Sequence, residues 1–161
     1  MSSRVARAAL VAAALACNGG LQPTPAPPSI SGIVTYRGAA PDSTQAVYVV
    51  AYQTFPHTRD SLFTFQPPVL RPLPLGVATA AYSIPVDPGR YEWVLAVWVK
   101  QGFTLANADS TLRETGYYRD PADTSQPGVV DVLTQPATSI DFVIDFGHMH
   151  PPCRYYTPPC P

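Results

Sequence analysis

Charge is scarce in this chain of 161 residues. It has a single lysine, Lys100, and two glutamates, Glu92 and Glu114, and only 13% of its residues are charged. Globular chains usually carry about 25%. Lysine and glutamate are good helix formers, and their near absence beside plentiful Val, Thr, Tyr and Pro excludes a helical bundle and favours an all-β domain. A formal net charge of −1 leaves no basic footprint for nucleic acid, so none is expected as a partner. The chain also lacks an internal repeat, a long helical pattern and a Gly-x-Ser-x-Gly nucleophile motif. Its three histidines, His57, His148 and His150, form no pattern of a base beside a serine nucleophile and an orienting acid. Nothing relates the two glutamates as a glycosidase pair. Catalysis is therefore not expected.

What the chain does have is gathered around Asp87–Lys100. A Pro88-Gly89 turn signal leads into Tyr91-Glu92-Trp93-Val94-Leu95-Ala96-Val97-Trp98-Val99-Lys100, mostly aromatic or β-branched. The odd positions Tyr91, Trp93, Leu95, Val97 and Val99 are uniformly apolar. The even positions carry charge only at Glu92 and Lys100. Period two places the sets on opposite faces. The odd face is expected in the core and the even face partly covered, as in a continuous central strand.

The N-terminus reads as an address. Residues 1–16 hold Arg4 and Arg7, then the apolar Ala8–Ala16, followed at once by Cys17. A basic segment, a short apolar run and small residues at its end make a secretory signal peptide. The run falls short of the roughly 20 apolar residues a membrane-spanning helix needs. With Cys17 directly after Ala14-Leu15-Ala16, it resembles a bacterial lipoprotein signal, with Ala14 where leucine is usual. The resemblance implies a diacylglycerol on the Cys17 thiol, the only prosthetic group expected, and a membrane as the first partner. Asn18, rather than aspartate, implies the outer membrane or the periplasmic or cell-surface side. An ordinary signal peptide cleaved near Ala16 is the alternative. Residues 17–29 hold four prolines and no charge and read as an extended tether.

Residues 30–146 read as one domain. Strands are expected over Ser31–Gly38, Ala46–Tyr52, Ala78–Val86, Tyr91–Lys100, Gly128–Leu133 and Ser139–Phe146, with a possible strand within Thr111–Arg119. Between Phe55 and Leu75 lies a Pro-rich excursion in which Leu62–Phe65 is the only strand-like piece. In the last strand Ile140, Phe142, Ile144 and Phe146 alternate with Asp141, Val143 and Asp145, which fixes the inward face. About seven short strands at roughly ten-residue spacing imply an antiparallel β-sandwich. The order Ser31-Gly32-x-Val34, Val47-Tyr48-Val49-Val50-Ala51, Tyr82-x-Ile84-Pro85 and Pro88-Gly89-x-Tyr91 resembles the carboxypeptidase regulatory-like (transthyretin-like) domains of bacterial surface proteins. That resemblance implies an immunoglobulin-like sandwich, usually noncatalytic, that serves as a spacer, docking module or binding module.

The candidate sites are few. Residues 147–161 form a Pro-rich tail with His148, His150, Cys153 and Cys160. In an exported protein with Cys17 acylated, the two remaining cysteines are expected to form a disulfide. The alternatives are a zinc or copper site built from all four side chains, or free thiols. Asp120 and Asp123 have the makings of a calcium loop and equally of ordinary turns. Trp98, Tyr117, Tyr118, Tyr155 and Tyr156 are candidate binding aromatics, if they face solvent rather than fill the core. The functional expectation is a lipid-anchored, noncatalytic envelope protein that docks on another envelope component. Glycan binding at the surface is the first alternative and metal binding through the tail the second.

Overall fold

The computed structural model describes residues 26–160. The signal peptide, Cys17 and most of the tether lie outside the described residues. The fold is all-β. Strands β1 (Ser29–Arg37), β2 (Thr44–Tyr52), β3 (Thr79–Pro85), β4 (Gly89–Tyr91), β5 (Trp93–Lys100), β6 (Leu112–Tyr117), β7 (Val130–Val132) and β8 (Phe142–Asp145) are joined by turns and longer loops with 3-10 pieces and one short α-helix, α1 (Ala108–Thr111). They form sheets ordered β3-β1-β8 and β2-β5-β6 and a small β4-β7 pair. The β1–β8 pairing is parallel, which corrects the expectation of a purely antiparallel arrangement. Among the described residues no helix is long and apolar enough to cross a membrane.

One core joins both larger sheets. Ile30 and Val34 of β1, Tyr82 and Ile84 of β3, and Phe142 and Ile144 of β8 meet Val47 and Val49 of β2 and Val94, Ala96 and Trp98 of β5. Each fully buried aliphatic of this kind contributes roughly 1.5–3 kcal/mol. The inward set of the last strand is as expected: Ile140, Phe142, Ile144 and Phe146 are buried, while Asp141 and Val143 are exposed. The central segment departs from expectation in two ways. It breaks at Glu92, whose N–H donates to the Tyr52 carbonyl and whose carboxylate accepts the Phe55 N–H. The break shifts parity, so that Tyr91 shares the main core with Val94, Ala96 and Trp98, the even set of β5. The odd set of β5 turns to the opposite side of the sheet, where Trp93, Leu95 and Val97 meet a second apolar layer.

That layer comes from the excursion and the tail. Leu62–Phe65 is not a strand. Asp60–Phe63 forms a 3-10 turn, favoured where Thr58 and Ser61 exchange side-chain-to-backbone hydrogen bonds and Pro56, Pro67 and Pro68 cannot donate to a ladder. The excursion instead covers the free edge of β2 through hydrogen bonds between Ala51 and Gln66 and from the Leu73 N–H to the Val47 carbonyl. The tail covers β6 in the same way, since Glu114 and His150 exchange backbone hydrogen bonds of 2.8 Å. Both outer edges of this sheet are therefore blunted against strand addition.

Candidate functional site

The outer face of β2-β5-β6 is built by register. Tyr52, Val50 and Tyr48 of β2 stand beside Trp93, Leu95 and Val97 of β5, and Leu112, Glu114 and Tyr117 of β6 complete the row. Directly paired residues share a face, so these side chains project together away from the main core. The excursion roofs this floor with Pro56, Leu62, Phe65 and Leu70, and the tail walls it with Pro152 and Tyr155. Packing is tight at one end. There Trp93 lies 4.6 Å from Phe55 and 4.9 Å from Tyr155, measured between ring centroids. At the other end the layers part around a cavity of about 270 Å³. Phe63, 39% exposed, and Leu105, 67% exposed, line it and mark its mouth.

Polar links hold the walls. Arg59 of the excursion donates to the carbonyls of Leu105 and Ala106 at 2.8 and 2.9 Å and pairs with Asp109. The Thr157 N–H of the tail donates to the His57 carbonyl. Tyr52 Oη, buried, donates to the Leu62 carbonyl at 2.6 Å. Two polar groups of the walls stand out. Glu114 is 5% exposed, and burial raises its pKa above the ordinary carboxyl value despite the hydrogen bond from Tyr155 Oη. Trp93 Nε1 is the one buried side-chain N or O atom among the described residues with no hydrogen-bond partner.

A second, polar cleft lies where the edges of β6 and β8 approach. Arg37, Arg119, Arg154, Asp141, Asp145 and His148 line it, and Glu114 forms part of its wall too. Its charges are largely paired. Asp145 accepts from Gly147 N–H and His148 Nδ1 and pairs with Arg37, and these contacts, the Gly147 bond foremost, hold its carboxyl below the usual range. Burial first, then the nearby Arg154 and His148, lowers the pKa of His150 and favours its neutral ring.

The structure sorts the candidate residues. Trp98, expected on a partly covered face, is buried in the main core and donates from Nε1 to Thr44 Oγ1 at 2.7 Å, so it faces no ligand. Tyr155 and Tyr156 are not free surface rings. Their hydroxyls donate to Glu114 and Asp109 at 2.7 and 3.0 Å. Tyr117 is half-buried beneath the Arg119 guanidinium, 4.5 Å above its ring, and Tyr118 packs against the main core. Cys153 and Cys160 are disulfide-bonded, with Cα atoms 5.1 Å apart. Their sulfurs are thus removed from the tail metal set. His148 and His150 turn to different partners, Asp145 and Arg154. No group of three or more His, Cys, Asp or Glu side chains among the described residues is placed to hold a metal ion. Asp120 and Asp123 each accept the N–H two residues on, which is turn chemistry.

Sequence reasoning missed the cavity. Its floor was visible as the apolar odd positions of β5, but its roof comes from a Pro-rich segment with no periodic signal. No family model matches the chain, and no curated protein or solved structure matches it.

Proposed function

We propose that this chain is a noncatalytic envelope lipoprotein, anchored through an acylated Cys17, whose β domain is an accessory binding module of a membrane or cell-surface assembly. The observation that carries this reading is the outer face of β2-β5-β6, a hollow, apolar layer with exposed Phe63 and Leu105 at its mouth. A domain so poor in charge would bury such a face more simply if packing were its only role. The Cys153–Cys160 disulfide fits an exported, oxidising compartment. The motif resemblance to carboxypeptidase regulatory-like domains also favours a binding role. The test is affinity capture of the tagged, full-length chain from detergent-solubilised native membranes. A stoichiometric partner is expected with wild type and is lost with the double variant F63D/L105D, whose changes are both exposed. A chain recovered alone overturns docking.

A second reading, a surface glycan-binding module, is favoured by the polar cleft. Tyr117, Arg119 and Asp145 line it with donors and acceptors suited to sugar hydroxyls. Retention of wild type, but not of Y117A, on a polysaccharide column supports this reading. Equal elution of both with the void volume removes it.

A further inference from the structure

We infer that the cavity on the outer face of β2-β5-β6 is a binding site for one small neutral molecule with an alkyl or aryl body. This deepens the reading of that face as the binding side of the module and rests on it.

Size and lining give the body. A dry apolar cavity of about 150 Å³ is enough to take benzene, and this one is about 270 Å³. It has room for a substituted ring or a medium-length alkyl chain, and too little for a diacyl lipid. Its floor of Val50, Leu95, Val97 and Leu112 offers dispersion contacts and nothing polar. Neutrality follows from the wall, whose charged side chains are one acid, Glu114, and one base, Arg113. Arg113 is already committed through Nη1 to the carbonyls of Asp109 and Leu112.

The test is titration of the purified, disulfide-intact chain with 1-octanol, read by calorimetry and by the rise in unfolding temperature with ligand concentration. Wild type is expected to bind one octanol saturably, with a negative heat-capacity change from apolar burial. V97F, which fills the floor, is expected to abolish binding while keeping cooperative unfolding. Octanoate at pH 8 is expected to bind more weakly than octanol. No saturable octanol binding by wild type overturns the inference whatever the variants do. Undiminished affinity in a folded V97F overturns the assignment to this cavity, and tighter octanoate overturns the neutral class. Partner capture from membranes with no octanol binding sinks this inference alone, whereas octanol binding without a partner sinks docking alone.

Discussion

At Glu114 a carboxyl group lies nearly sealed between the apolar cavity and the polar cleft, with its pKa raised by burial. In the folded state it keeps its proton to higher pH than in the unfolded chain. Folding therefore takes up a proton just above the ordinary value, and stability falls as pH rises through that window. Glu114→Gln removes the penalty and can still accept from Tyr155 Oη. Its unfolding temperature is expected to exceed that of wild type at pH 8, with the gap closing towards pH 4 in a series of thermal melts. His150 works in the other direction. Its lowered pKa means the unfolded chain binds more protons below about pH 6.5, so its contribution is lost as pH falls. With Glu114→Gln in place, the remaining dependence near neutrality is expected to show stability rising with pH. Tyr82 makes a plainer case. Its hydroxyl donates to the Ile140 carbonyl at 2.6 Å in a buried setting. Tyr82→Phe orphans that carbonyl and is expected to cost about 1–3 kcal/mol in urea unfolding.

Among the elements, two glycines set where strands approach. A Cβ at Gly32 of β1 would meet the carbonyl of Ile140, and one at Gly116 of β6 would meet the carbonyl of Val143. Gly116 also has φ of +152°, which L side chains rarely adopt. Gly116→Ala is expected to destabilise by roughly 1–3 kcal/mol from the backbone alone, with further loss from the clash, measured by urea unfolding. The Ser31-Gly32-x-Val34 motif was legible as a strand start, and the structure supplies the reason for its glycine. The tail was legible only as a disulfide loop. Its packing of Tyr155 against Trp93 and Phe55 was not, because those contacts join residues some 60 to 100 positions apart by side-chain shape alone. Closing so short a loop is worth about 2–3 kcal/mol. Reduction, or Cys153→Ser with Cys160→Ser, is expected to lower stability by up to that amount. It should also alter Trp93 fluorescence as Tyr155 loosens from the ring.

For the whole molecule the address is argued from residues outside the described fold. Cys17→Ser is expected to abolish incorporation of labelled palmitate and to shift the protein from the membrane to the soluble fraction. Persistence in the membrane after that change would overturn lipid anchoring. The all-β class was determined by the sequence, because scarce lysine and glutamate, abundant β-branched residues and the alternation of Ile140, Phe142, Ile144 and Phe146 depend on local chemistry. Which side of β5 faces the main core was decided only in three dimensions. Both faces of that strand are apolar, so a period of two separates them without ranking them. The break at Glu92 shifts the parity, and the excursion and tail arrive from distant positions to cover the odd face. That cover is imperfect, and the gap it leaves is the cavity. A volume between segments remote in the chain has no signature in the order of residues, since it depends on how closely their surfaces meet.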